Sequence, residues 1–306
     1  MKKIFILIAA FVSIGFSGHA CDGGCTMGGS YLGILPQIHK NLFGVRYLSS
    51  SYTITSTYTH THDGVPETHH EVTDNIFRTA ELWGRYTPVR GMQVFAFVPY
   101  RFNEHVMPNM THRSNGLGDI TLLANYAILD TGDSLSHTLK HTLRLGGGVK
   151  LPTGSFHTGG HDHGPASMQP GTGSTDYILT GIYTVRYNKL GLNSDVTYNM
   201  TGHNSQGYKF GDRLSASTNL FYWKNVGNGA TVLPSAGVYY EKAENDQVSH
   251  EENGQTGGES VYGNLGVSVY LRNLSVSAML QKNISTTTVR DTKGNNRAQL
   301  SVAYLF

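Results

Sequence analysis

"LKHTLRLGGGVKL", residues 139–151, sorts its side chains by parity. Leu139, Leu143, Leu145, Val149 and Leu151 share one parity; Lys140, Thr142, Arg144 and Lys150 share the other. Successive side chains of a strand point to opposite faces, so this segment reads as a strand with one apolar and one polar face. The same split recurs in "LSASTNLFY" (214–222), where Leu214, Ala216, Thr218, Leu220 and Tyr222 oppose Ser215, Ser217 and Asn219. It recurs again in "VYGNLGVSVYL" (261–271) and "LSVSAMLQ" (274–281). Helical spacing accounts for none of these runs.

The breaks between strands alternate in kind. Short turn sequences stand at 87–92, 187–191, 225–229 and 272–273, with a slightly longer one at 130–137. Longer polar segments lie between them, near 59–74, 104–116, 154–174, 202–208, 244–259 and 286–295. The pattern predicts about twelve strands, at 41–58, 75–86, 92–103, 117–129, 139–153, 175–187, 190–201, 209–223, 230–243, 260–271, 274–285 and 296–306. Short turns on one side, long loops on the other and an even strand count predict an all-β fold. The expected form is a transmembrane antiparallel β-barrel of the bacterial outer-membrane type. The last residues agree: Leu300, Val302, Tyr304 and Phe306 alternate with smaller or polar neighbours and end on an aromatic. A secreted β-sandwich is the soluble counterpart, but it need not alternate short and long connections.

Composition supports this. Mean hydropathy is only −0.27, as expected when every second strand residue faces lipid. The chain has 37 Gly, 18 Tyr and 14% charged residues, an odd mixture for a soluble enzyme. Residues 1–20 combine Lys2 and Lys3, an apolar core and small residues at Gly18 and Ala20, which reads as a cleaved secretory signal. The alternative is lipidation at Cys21. Removing two lysines from a net charge of +2 leaves 2 − 2 = 0, so no basic surplus points to nucleic acid. Residues 21–40 then form a periplasmic N-terminal segment and 41–306 the barrel, placing both termini in the periplasm. The expected partners are outer-membrane lipids, the barrel-assembly machinery and a small solute or metal ion.

"NGLGDITLLANYAI" (115–128), "LRLGGGVKLPTGSF" (143–156) and "QPGTGSTDYILTGIYT" (169–184) together resemble a family of outer-membrane proteins grouped with meta-pathway phenol degradation. The resemblance covers roughly 90–185. It implies a transporter-like barrel passing small molecules, aromatic compounds for some relatives. Taken alone, the residues say that Pro152 stops strand pairing and that Gly146, Gly147 and Gly148 permit a bend or a close approach in mid-strand.

Fifteen His occur, and eleven fall in the predicted long loops. His60, His62, His69 and His70 belong to the first, His105 and His112 to the second, and His157, His161 and His163 to the third. His203 and His250 follow in the next two. Imidazole is the commonest transition-metal side-chain ligand, and the thioethers of Met107 and Met110 suit Cu(I). These residues, His203 and His250 apart, form a candidate Cu or Zn rim, the metal being a bound or transported ion and not a certain cofactor. Weak adventitious binding is the plain alternative. Cys21 and Cys25 offer a disulfide or a soft-metal pair.

"HRSNG" (112–116) resembles a stretch of outer-membrane phospholipase A. That resemblance implies a hydrolase using His112 and Ser114, with Asn103 as the nearby orienting group. Nothing else in the chain matches that family. The sequence therefore predicts a non-enzymatic barrel for passage or capture of small solutes, with lumen-facing Lys140, Arg144, Lys150, Asn193, Asp195 and Asn219. A hydrolase and a structural or adhesive barrel are the alternatives.

Overall fold

The computed structural model describes residues 41–62, 65–131, 139–157, 165–227, 229–287 and 291–306, with backbone alone over 58–62 and 65–69. Twelve antiparallel strands form the wall: β1 (Leu42–His62), β2 (Val65–Tyr86), β3 (Met92–Met107), β4 (Ile120–Asp130), β5 (Leu139–Leu151), β6 (Asp176–Tyr187), β7 (Leu190–Met200), β8 (Arg213–Tyr222), β9 (Ala230–Ala243), β10 (Gly258–Leu271), β11 (Leu274–Thr287) and β12 (Arg297–Leu305). Each pairs with its sequence neighbours, and β1 pairs with β12 from Leu42↔Leu305 to Ser49↔Ala298, closing the sheet. Closure leaves no edge of unpaired N–H and C=O groups, each of which costs several kcal/mol in hydrocarbon.

Parity sets the two faces as the sequence predicts. Leu82, Leu265 and Leu280 point outward and are 61%, 66% and 63% exposed, far too apolar a belt for a water-facing surface. Phe43, Tyr304 and Phe306 cluster on the outer face at the short-turn end, with Phe43 lying 5.8 Å from Tyr304 and 6.2 Å from Phe306 between ring centroids. Tyr86, Tyr126, Tyr187 and Tyr222 extend this aromatic girdle, the device that seats such barrels at an interface. The described chain begins and ends here, with Phe306 N–H donating to the Asn41 carbonyl at 3.0 Å.

Two predicted loops are strands instead. β1 and β2 run for 21 and 22 residues, about twice the ~9–11 needed to cross a bilayer, and remain paired to His62↔Val65. The expected loop at 104–116 is a hairpin in which β3 returns as Met110–Leu117. Above the hydrocarbon both faces of a strand meet water, so apolar alternation fades while Thr, Val and Tyr still favour extended backbone.

Inside, the short-turn half carries one buried apolar cluster, Leu42, Trp83, Phe95, Phe97, Leu123, Ile178, Ala303 and Leu305, beside the buried Arg85 and Arg144. Trp83 and Phe97 are stacked at 6.5 Å, as are Phe95 and Phe97 at 6.3 Å. Phe221, Leu233 and Tyr270 form another cluster. The layer above is polar, and it holds the site.

Candidate functional site

The three Gly-rich motifs meet at one place. β5 ends at Leu151, where Pro152 cannot donate to a ladder. The chain then turns into the barrel mouth, not away from it. Its short 3-10 turn, Ala166–Met168, buries Met168 completely against Tyr52, Ile54 and Phe77 of β1 and β2. Asn103 Nδ2 donates to the Met168 carbonyl at 2.8 Å. Gln169 bonds the backbone of His157 twice, at 2.6 and 2.7 Å. Residues 165–175 thus form an inward plug.

Lys150 is the pivot of the plug. Its ammonium lies 3.1 Å from Asp119 Oδ2 and 2.7 Å from Asp176 Oδ2, and also bonds the Thr172 hydroxyl. Asp119 accepts from Gly154 N–H at 3.0 Å, Thr172 N–H at 2.9 Å and the Thr172 hydroxyl at 2.7 Å. Ser174 Oγ donates to Asp176 at 2.8 Å. One carboxylate therefore ties together the end of β5, the start of β4 and the plug. Gly154 and Gly171 press backbone to backbone, where a Cβ on Gly171 would overlap Gly154. Gly118 packs against Pro170, leaving 3.2 Å between its would-be Cβ and the Pro170 carbonyl.

Below the plug lies a cavity of about 140 Å³. Two buried ion pairs stand in or beside its wall. Arg46 binds Glu81 directly across the β1–β2 ladder, 3.0 Å from Nε to Oε1. Its guanidinium sits 5.4 Å from the Phe97 ring and 5.8 Å from Trp83. Arg297 binds Glu241 at 3.0 Å and lies 3.9 Å over Tyr262. Such pairs lose much of their Coulomb gain to desolvation, so they specify geometry more than they add stability.

An amide relay runs along the inner face of the barrel from β11 to β7. Gln281 Nε2 donates to Asn264 at 2.9 Å, Asn264 Nδ2 to Asn219 at 3.0 Å, Asn219 Nδ2 to Ser217 at 3.2 Å, and Ser217 Oγ to Asp195 at 2.5 Å. Asn264 and Asn219 sit on β10 and β8, and they meet only because β9 carries Gly237 between them. A Cβ there would stand 2.5 Å from Asn219 Oδ1. The predicted lumen residues Arg144, Asn193, Asp195 and Asn219 are inward by register, and Arg144, Asn193 and Asn219 are buried. Lys150 belongs to the plug anchor, and Lys140 is half-buried.

The candidate metal ligands are dispersed by comparison. The 104–116 hairpin does set His105 opposite His112 and Met107 opposite Met110. His105 Nδ1 is engaged with Asn75 Oδ1 at 2.6 Å. Burial, then the neighbouring His112, hold His105 below the usual histidine range. His70 is exposed on the other face, 3.0 Å from the Thr57 hydroxyl. His157 is exposed beside the plug. His60, His62 and His69 lie on the backbone of the β1–β2 hairpin. Cys21, Cys25, His161 and His163 lie outside the described residues. Among the described residues no three His, Cys, Asp or Glu side chains gather to hold an ion. The loops instead bring together His203 and His250, stacked at 4.9 Å, because Ser249 and His250 take left-handed conformations in a tight hairpin turn.

The hydrolase constellation is not assembled around Asn103. His112 and Ser114 share one face and Ser114 stands opposite Asn103 in the ladder, but the Asn103 Nδ2 donates to the Met168 carbonyl and His112 stands opposite His105.

The family model described as "Putative MetA-pathway of phenol degradation" matches residues 55–301. The chain belongs to this family. An outer membrane channel of Pseudomonas putida F1 is similar in structure, with TM-score 0.59 and 14% identity, covering 89% of this chain and 100% of that one. The β domain of the Bordetella autotransporter Brka is also similar, with TM-score 0.50 and 13% identity over 87% of this chain and 99% of that one. These likenesses establish the outer-membrane barrel fold. No curated protein matches the sequence. What sequence reasoning missed is the plug: the motifs carrying the family resemblance are its anchors, Asp119, Lys150, Gly154, Gly171, Thr172 and Asp176.

Proposed function

We propose that the protein is an outer-membrane channel for small solutes, non-enzymatic, with its short turns and both ends of the barrel in the periplasm. The observation that carries this reading is the lumen itself. A charged, hydrogen-bonding cavity sits under a plug held by the bonds of Thr172 to the wall residues Asp119 and Lys150 and by burial of Met168. The similar Pseudomonas putida F1 protein is a channel by its description, which supports the reading. Reconstitution into planar bilayers tests it: discrete conductance steps are expected, increased in Lys150→Met. Silence of both proteins in correctly folded form refutes it.

The register of the 104–116 hairpin supports a second reading, capture of a soft ion at the outer rim. Cu(I) should bind through Met107 and Met110, and Cu(II) or Zn through His105 and His112. Equal affinity in wild type and in the variant lacking all four side chains refutes that reading.

A further inference from the structure

The outer wall carries a charged cluster that the lumen does not use. Arg78 on β2, Glu104 on β3 and Arg113 on the returning strand of the 104–116 hairpin share the outward parity of Leu82 and Phe102. The Glu104 carboxylate lies 3.4 Å from Arg78 Nη1 and 3.2 Å from Arg113 Nε. Two guanidiniums thus converge on one carboxylate, a net charge of 2 − 1 = +1. The Arg78 side chain is 40% exposed and that of Arg113 69%, so most of their N–H donors stay open to the surroundings. Exposed ion pairs add little to stability, which gives the fold little reason to gather three charged chains here. Height along the barrel supplies a reason. Arg78 stands 86 − 78 = 8 residues along β2 from Tyr86 of the short-turn girdle, and a tilted strand crosses the hydrocarbon in ~9–11. Tyr47, Ala80 and Tyr100 form one row across β1, β2 and β3, immediately on the lipid side of Arg78. The two exposed tyrosines, with Phe102 at 4.9 Å from Tyr100, begin the second aromatic belt. Ala80 is small between them, which leaves an apolar notch leading from the guanidiniums down to Leu82.

We propose that Arg78 and Arg113 bind the sugar phosphate of an outer-leaflet glycolipid, with Glu104 holding the two guanidiniums in place and an acyl chain lying in the notch at Ala80. The inference goes beyond the channel reading and shares with it only the orientation, short turns in the periplasm. Charge complementarity names the occupant. Guanidinium forks match phosphate oxygens through parallel N–H···O bonds, and a phosphate monoester offers them more charge and more acceptors than a diester. Position agrees as well. An outward cation is costly at mid-bilayer and tolerated at the interface, where pairing with a headgroup anion is screened less than in bulk water.

The probes are bisphosphorylated lipid A, its dephosphorylated form, phosphatidylglycerol and inorganic phosphate, added to the full-length barrel in nonionic detergent and followed by native mass spectrometry. Lipid A should bind at least ~10-fold more tightly than its dephosphorylated form or phosphatidylglycerol, the scale of one charge-assisted contact. An excess of inorganic phosphate should fail to displace it, which marks a lipid site. Arg78→Gln with Arg113→Gln should remove the preference. Lys282→Gln, at an exposed outward cation on β11, should keep it. Heat-modifiable gel mobility reports that each variant is folded, and the comparison of lipids on the wild type needs no variant. Equal binding of the phosphorylated and dephosphorylated lipids overturns the proposal. So does phosphatidylglycerol binding as tightly as lipid A, displacement by inorganic phosphate, or an equal loss in Lys282→Gln and the arginine variant. Asn109→Cys, at the tip of the hairpin, should be labelled by an impermeant maleimide on intact cells. Absence of labelling refutes the orientation and, with it, the outer leaflet. Conductance without phosphate-dependent lipid binding refutes the site and keeps the channel.

Discussion

Lys150→Met is the substitution with the most to reveal. It conserves length and apolar volume but leaves Asp119 and Asp176 facing one another without the ammonium that lies 3.1 and 2.7 Å from them. The Lys150 side chain is 12% exposed, the Asp119 side chain 0% and that of Asp176 9%, so the cluster is largely shielded from bulk water. Removing one partner of such a buried cluster typically costs about 3–5 kcal/mol. Met168 burial against Tyr52, Ile54 and Phe77 opposes release of the plug by roughly 1.5–3 kcal/mol. Thr172, bonded to both Lys150 and Asp119, carries the ionic loss to the plug, where it is comparable with the Met168 burial, the bonds of Asn103 and Gln169 remaining. A loss of ~3 kcal/mol shifts the docked-to-released equilibrium by roughly 100-fold. Single-channel recording should show a larger or more frequently open pore, and amide exchange over 165–175 should accelerate while the barrel strands stay protected. Adding Asp119→Asn and Asp176→Asn to Lys150→Met should recover part of the occlusion, because a neutral cluster carries no stranded charge. Unchanged conductance and exchange in Lys150→Met would show that the plug is held by something else, and the ionic reasoning would be wrong.

Gly171→Ala should release the same plug by steric means, since its Cβ overlaps the Gly154 backbone; Gly254→Ala, where a Cβ meets nothing within 4 Å, is the control, and equal conductance of the two would refute the contact. Replacing Tyr304 and Phe306 by Ser should remove their contacts with Phe43 and lower the yield of heat-modifiable, membrane-assembled barrel; normal assembly would deny the girdle that role. Burial, then His112, depress the His105 pKa, so the neutral ring favours the folded hairpin. Its stabilising contribution is present above the unfolded value of ~6.5 and is lost as pH falls through the lower folded one. Protection factors of the hairpin amides, corrected for the intrinsic pH dependence of exchange, should therefore fall on acidification, and His105→Gln should flatten that dependence.

The parts of the fold legible in the sequence are those where one face of a strand meets lipid. From Leu139 to Leu151 and from Leu214 to Tyr222 the solvent on the two sides differs, so parity is written in residue type. Where the strands rise into water the contrast disappears. The Thr- and His-rich run before His62 then resembles a loop, although Asp63-Gly64 between His62 and Val65 is a hairpin signal. The plug was illegible for a different reason. Its anchors Asp119, Lys150 and Asp176 are local turn and strand-end residues by type, and only tertiary pairing reveals that one ammonium serves both carboxylates. The same holds for Asn103, which reads as an orienting group for His112 but serves the Met168 carbonyl.

The pairing of Leu42 through Ser49 with Ala298 through Leu305 has a consequence for biogenesis. The two strands that seal the cylinder lie at opposite ends of the polypeptide, so the longest-range contact must form before the sheet is free of an exposed edge. Loop-closure entropy of that span cannot be offset piecemeal, and high contact order makes such folding slow. No half of this chain is a smaller barrel. Closure therefore belongs to the first and last strands jointly, and losing either reopens the whole cylinder.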